Sequence, residues 1–236
     1  MKTRYKNIVI VASTLLSLST TANAFWNRKL ASVDQEYRKE HIEELLGRRA
    51  FLKGELKKTL GFDDIESFIL AKAQSELKPK YAQHAFNLAQ AVITNANEHG
   101  FDPLFVLAVI KHESRFNPEA IGGVGEIGLM QIRPETAKWI AKKFKIEYHG
   151  KETLKNPAVN IKIGTAYLAM LRDKFGHGQL YLSAYNMGPK KVRKALAKNV
   201  WPKDYSSGVM KKYMLMNQEL IREYKLAKAP MVAVNN

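Results

Sequence analysis

The chain of 236 residues contains no cysteine. That excludes a disulfide framework and attachment of a lipid at a processed cysteine. It also removes the thiolate ligands of a structural zinc site, and the six histidines show no H-E-x-x-H spacing, so no metal is expected. Past the first 24 residues there is no apolar run near the roughly 20 residues needed to span a bilayer. No serine sits in a G-x-S-x-G elbow, which removes that nucleophile pattern. Convincing strand alternation is missing too, so the expected fold class is mainly α. Acids are few: 22 Asp and Glu stand against 38 Lys and Arg, a formal charge of +16.

What is present begins with a basic head (Lys2, Arg4, Lys6), an apolar run from Ile8 to Leu18, and Ala22-Asn23-Ala24. This three-part pattern predicts a signal peptide over residues 1–24, cleaved after Ala24, and hence export. The charge excess then has a place. Residues 25–78 nearly balance, whereas residues 79–236 carry 24 Lys and Arg against 12 Asp and Glu. Outside the cytoplasm such a field favours polyanionic surfaces such as wall polymers or anionic lipid, and it equally serves general solubility. The cluster Lys190, Lys191, Arg193, Lys194 reads as a solvated helix face, with no specific nucleic-acid partner expected.

Residues 25–78 predict a helical extension. Leu30, Val33, Tyr37, Ile42, Leu45 and Leu46 fall at mostly helical spacing up to a break at Gly61, and a second helix follows Asp63-Asp64. Such a hairpin packs on the main domain or on a partner. Lys78-Pro79 marks the boundary, and residues 79–228 form the main domain, with 229–236 a loose tail. An amphipathic helix is expected from Tyr81 to Ala96, ended by His99-Gly100. Asp102-Pro103 caps and opens the next, whose seven successive apolar residues, Leu104 to Ile110, imply burial nearly all round. Further helices are expected over Pro134–Phe144, Ala158–Phe175, Leu180–Met187, Lys190–Lys198 and Gly208–Lys225.

The unusual stretch runs from Ile110 to Ile132. Glu113 extends the face of Val106, Val109 and Ile110, and four glycines follow within the seven positions from Gly122 to Gly128. A carboxyl among apolar neighbours loses hydration, stays protonated to higher pH, and can then donate a proton to a glycosidic oxygen. Read alone, Glu113 equally well ends a helix beside Lys111 and Arg115. Gly123 to Gly128 fits G-x-G-x-x-G literally, but a helix precedes it where a dinucleotide site needs a strand. No cofactor is expected.

Glu113-Ser114, Phe116-Asn117-Pro118, Gly128-Leu129-Met130-Gln131-Ile132, Pro134 and Thr136-Ala137 together resemble the soluble-type lytic transglycosylase family. Asn156-Pro157, Asn160-Ile161, Gly164, Tyr167-Leu168, Leu171, Ala184-Tyr185-Asn186 and Gly188-Pro189 continue the resemblance in order, over residues 81–213. It implies a lysozyme-like helical domain that cuts peptidoglycan between N-acetylmuramic acid and N-acetylglucosamine, with glycan strands as partner and a periplasmic or secreted location. It implies Glu113 as lone acid and base, closing a 1,6-anhydro ring without water. Ser114, Met130, Gln131, Tyr185 and Asn186 are implied as substrate-binding positions, with Tyr185 beside the acid. A muramidase hydrolysing the same bond and a non-catalytic wall-binding protein are the rival readings; in the latter the extension would dock an envelope-assembly partner. Two departures stand out: Gly122 where the family often has serine, and Glu126 where it commonly has alanine. Glu126 is expected to pair with Arg133 or Lys138, or else to act as a second acid near the groove.

Overall fold

Five helices in this chain start at a side-chain cap or a proline: those opening at Gln35, Pro103, Pro134, Pro157 and Pro189. The computed structural model describes residues 29–176 and 178–229. The expected leader lies outside the described residues, as does the tail from 230 on. α1 (Gln35–Leu46) is capped by Asp34, whose carboxylate accepts from the Glu36 and Tyr37 N–H groups, and it ends at Gly47 with φ 82°. The helical reading of residues 25–58 therefore needs correction: Gly47 and Gly54 divide it into α1, α2 (Arg48–Lys53) and a 3-10 turn (Glu55–Thr59). α3 (Ile65–Glu76) follows Asp64. The helix expected from Tyr81 begins instead as a 3-10 turn (Pro79–His84) and becomes α4 (Ala85–His99), closed by Gly100 in the left-handed region.

α5 (Pro103–Glu113) is the centre of the molecule. Its residues Pro103 to Ile110 are all buried, as seven apolar residues in succession require. Each such Leu, Val, Ile or Phe stabilises the fold by about 1.5–3 kcal/mol relative to exposure. α6 (Pro134–Phe144), α7 (Pro157–Phe175, capped by Asn156), α8 (Gly178–Met187) and α9 (Pro189–Leu196) follow. α10 (Asp204–Lys228) starts four residues before the expected Gly208. α5 lies against α4 and α10, and α7 packs on α4 and α8. Among the described residues the only β-type pairing is two isolated bridges, both at Ile127.

The described residues from Ala31 to Ala229 form one compact unit, so α1 to α3 share its core. α3 packs on α4, and Lys72 of α3 reaches Glu219 of α10 at 2.5 Å. A fully buried polar join lies at the start of α5. Asp102, fully buried, accepts from the Leu104 N–H (3.0 Å) and the Tyr213 hydroxyl (2.7 Å). Arg38 of α1, equally buried, pairs with it at 3.6 Å and donates to the Thr59 hydroxyl (3.0 Å) and carbonyl (3.3 Å). The Asp102 N–H donates to His41 Nδ1 (3.0 Å), and the other ring nitrogen lies 3.2 Å from the Tyr181 hydroxyl. Burial holds the His41 pKa well below its ordinary value, so the ring is neutral and Nε2 is the donor to Tyr181.

Removing one partner of a buried ion pair strands the other charge. Arg38→Ala should therefore lower unfolding free energy by about 3 kcal/mol or more, read from urea denaturation. A change below about 1 kcal/mol would mean that the pair does not hold α1 to α5.

Candidate active site

Glu113 is the last residue of α5, half-buried where the helix emerges from the core. The chain turns at once: Arg115 and Phe116 both have positive φ, and the Phe116 ring is buried. The segment from Asn117 to Arg133 then folds back as a compact loop. Ile127 and Ile132 exchange backbone hydrogen bonds of 3.0 and 3.1 Å, and Gly122 N–H donates to the Glu126 carbonyl at 2.8 Å. Asn160 of α7 holds this loop from inside. Its amide donates to the Ile127 and Leu154 carbonyls (both 2.9 Å), and its carbonyl accepts from the Met130 N–H (2.7 Å). Gly128, at φ 83°, must be glycine for a second reason: a Cβ there would lie 2.3 Å from the Leu154 carbonyl oxygen and 2.4 Å from Asn160 Nδ2.

Between this loop and α7 to α9 lies a groove of about 490 Å³. Glu113, Glu126, Gln131, Tyr167, Tyr185 and Asn186 line it, with Arg133 and Lys191 as its cations. Gln131, itself at φ 48°, is fixed by its side chain, whose Nε2 donates to the Gly128 (2.9 Å) and Ala120 (3.2 Å) carbonyls. Tyr185 donates to the Met130 carbonyl at 2.8 Å, and its ring lies 5.4 Å from that of Tyr167.

Of the residues expected at the site, Glu113, Gln131, Tyr185 and Asn186 share the groove, while Ser114 and Met130 do not line it. Ser114 caps α5, and its hydroxyl bonds back to the Ile110 carbonyl at 3.2 Å. Met130 is fully buried and pressed on α7, where a Cβ on Gly164 would sit 2.4 Å from its sulfur. The expected pairing of Glu126 with Arg133 or Lys138 is not formed. Arg133 pairs with Glu135 at 3.9 Å, and Glu126 accepts from the Val124 N–H at 3.2 Å.

The hydroxyl that reaches the acid is one the sequence reading passed over. Tyr205, in the first turn of α10, donates to Glu113 Oε1. Its placement depends on Gly208, one helical turn on, where a Cβ would fall 2.5 Å from His112 Cε1. His112 fits against that bare backbone, stacks edge-on against Tyr205 at 4.8 Å, and meets Lys212 at 3.2 Å. The i, i+3 spacing of Tyr205 and Gly208 was the available signal, but nothing in the sequence pointed α10 at α5.

Burial pushes the Glu113 carboxyl up to about 7, against the pull of the Tyr205 hydrogen bond, with the Glu126 charge adding to the rise. A carboxyl poised near neutrality in a polar groove can both give and take a proton.

A family model, the transglycosylase SLT domain, matches residues 90–207, half of the chain. The chain belongs to this SLT family. It is 43% identical over 91 residues to the soluble lytic murein transglycosylase of Salmonella typhimurium, covering 38% of this chain and 14% of that protein. It is 32% identical over 135 residues to a putative soluble lytic murein transglycosylase of Haemophilus influenzae, covering 57% of this chain and 22% of that one. The chain thus spans a minor part of the length of these relatives. Among solved structures, an inactive mutant of lytic transglycosylase Slt from Pseudomonas aeruginosa superposes with a TM-score of 0.52 at 24% identity, over 82% of this chain and 38% of that one. That likeness concerns the fold, and it agrees with the mainly helical, lysozyme-like expectation for an SLT domain.

The raised Glu113 pKa has a thermodynamic consequence. The folded value, about 7, lies above the unfolded one near 4.5, so the folded SLT domain holds a proton that the unfolded chain releases between those values. Any stability from that proton is complete below about pH 4.5 and lost as pH rises through 7. Glu113→Gln removes the dependence. The variant should melt higher than wild type at pH 8, by an amount worth at most roughly 3 kcal/mol, and show a smaller difference at pH 5. Equal differences at both pH values in calorimetry would refute the buried-acid reading.

Proposed function

We propose that this SLT domain is a peptidoglycan lytic transglycosylase, with Glu113 as its single acid and base. The observation that carries the reading is a carboxyl protonated near neutral pH, hydrogen-bonded by Tyr205 and opening into a groove lined by Gln131, Tyr167, Tyr185 and Asn186. The family match and the murein-cleaving relatives support the same substrate class.

In the proposed reaction, protonated Glu113 gives its proton to the oxygen between N-acetylmuramic acid and N-acetylglucosamine as the C1–O bond breaks. The resulting carboxylate then takes the proton of the muramyl 6-hydroxyl as that oxygen bonds to C1. The product is a 1,6-anhydro end, no water is consumed, and Glu113 is protonated again. Tyr205 serves the second half, because a hydroxyl donor favours the ionised carboxylate. Gln131 and Asn186 supply polar groups, and the Tyr167 and Tyr185 rings supply faces for sugar rings. Ser114 and Met130, assigned by resemblance to substrate, act at one remove: Ser114 ends α5 and Met130 seats the loop on α7. Export to the periplasm or medium belongs to the same proposal. No described helix is long and apolar enough to cross a membrane. An envelope-assembly partner, if engaged through α1 and α2, would meet their outward side, where Tyr37 and Leu52 are exposed.

Digestion of purified glycan strands followed by mass spectrometry tests the chemistry. Wild type should release anhydro-ended fragments, and Glu113→Gln should release at least 1000-fold less; reducible ends alone would assign a muramidase. Tyr205→Phe should keep the fold and lose about 10-fold or more in kcat, the worth of a hydrogen bond to a charged group. An unchanged kcat would leave Tyr205 a packing residue.

A further inference from the structure

Gly122 and Glu126 are two positions where the loop departs from the resemblance, and the structure makes them one feature. A Cβ on residue 122 would lie 2.4 Å from Glu126 Oε2, 3.2 Å from Glu126 Cβ and 2.8 Å from Gln131 Oε1. The volume that any side chain at 122 would need is filled by the Glu126 carboxylate. That carboxylate is fixed there: Oε2 accepts from the Val124 N–H, and the Glu126 carbonyl accepts from the Gly122 N–H. The turn is closed at both ends, and it sets a second acid into the wall that Glu113 faces.

We propose that Glu126, seated in the space left by Gly122, is a positioning residue whose negative charge keeps the proton on Glu113 until a glycosidic oxygen takes it. The proposal rests on the reading of the groove as a glycan-cleaving site. A nearby like charge disfavours ionisation, and in a half-buried groove that repulsion is less screened than at an open surface. The other titratable groups that line the groove are Arg133, Lys191, Tyr167 and Tyr185, and the Tyr185 hydroxyl is engaged by the Met130 carbonyl at 2.8 Å. Arg133 is turned to Glu135 at 3.9 Å, so its charge is shared away from Glu126. Tyr205 acts on Glu113 in the opposite sense by donating to it. The acid is thus held between a donor that favours its ionised form and an anion that favours its protonated form. A group that must be acid in one step and base in the next needs both influences.

The experiment is the pH dependence of kcat/KM on purified glycan strands between pH 5 and 9, for wild type, Glu113→Gln, Glu126→Gln, Glu126→Asp, Gly122→Ala and the Gly122→Ala/Glu126→Ala double variant. Circular dichroism checks each fold. Glu126→Gln should move the alkaline limb down by roughly half a pH unit or more, and Glu126→Asp, which restores the charge, should lie closer to wild type. Gly122→Ala should impair cleavage less when Glu126 is already alanine, because the clashing carboxylate is gone. An alkaline limb unmoved in Glu126→Gln, with Glu113→Gln inactive, would overturn the proposal and leave the reaction assignment standing. If wild type releases nothing, or Glu113→Gln matches it, the reaction assignment itself fails. Should Gly122→Ala lose as much in the Glu126→Ala background as alone, the two positions are not coupled.

Discussion

The start of α5 is the point on which the rest of the molecule bears. A helix N-terminus leaves N–H groups without partners, and here that end is buried where water cannot satisfy them. Asp102 answers one of those groups, and burying its charge then demands partners of its own. Arg38 comes from α1, Tyr213 from α10, and His41 takes the remaining N–H. α1 and α10 are thereby both tied to the residue that caps α5. Because Pro103 to Ile110 are buried on every side, the helix has no freedom to slide or turn. Its far end, about 16 Å away at 1.5 Å per residue, is set by that anchor. Glu113 occupies this far end.

A fixed backbone alone does not make an acid. The carboxyl needs loss of water to stay protonated, yet it needs enough polar company to survive as an anion. α5 supplies the first by emerging from an apolar core. α10 supplies the second through Tyr205, and the contact of His112 with the bare backbone at Gly208 brings α10 close enough. The loop after α5 has a parallel need for close approach. Gly128 lets it meet the Leu154 carbonyl and Asn160, and Gly164 lets Met130 sink against α7. Glycine here is less a source of mobility than a way to bring backbone within reach of what must hold it.

The helices were legible because their signals are local. Asp102-Pro103, Asn156-Pro157 and the unbroken apolar run before Lys111 fix caps and burial without reference to any other part of the chain. Gly47 is equally local, but the helical spacing on either side of it masks the break, so α1 ends well before the expected stop at Gly61. Glu113, Gln131, Tyr185 and Asn186, which the resemblance carries as a set, line one groove. Met130, carried by the same resemblance, is buried on the other side of the loop, because proximity to a groove in sequence does not say which way a side chain turns. The contacts made by Tyr205, Asn160 and Arg38 were not legible, for one shared reason. Each acts on a residue 30 or more positions away, and neither periodicity nor spacing encodes which helices will meet.

That same long-range character decides how much chain the site requires. The family match covers residues 90–207. Within it lie Glu113, the loop, Asn160, Tyr185 and Tyr205, which is all of the groove. The anchor behind the groove draws on both sides of that span, since Arg38 and His41 precede it and Tyr213 follows it. Lys72 of α3 and Glu219 of α10, again on opposite sides, are paired with each other. The segments flanking the matched region therefore bear on α5 at both ends, at Asp102 through Arg38, His41 and Tyr213 and at Lys111 and His112 through Glu76, Gly208 and Lys212. They shield the Asp102 cluster from water and make no part of the groove lining. A buried cap without them would face solvent on one side, where an aspartate and an arginine gain little from each other. The flanking helices belong to α5 as much as to themselves, because the position of Glu113 is only as firm as the burial of the opposite end of its helix.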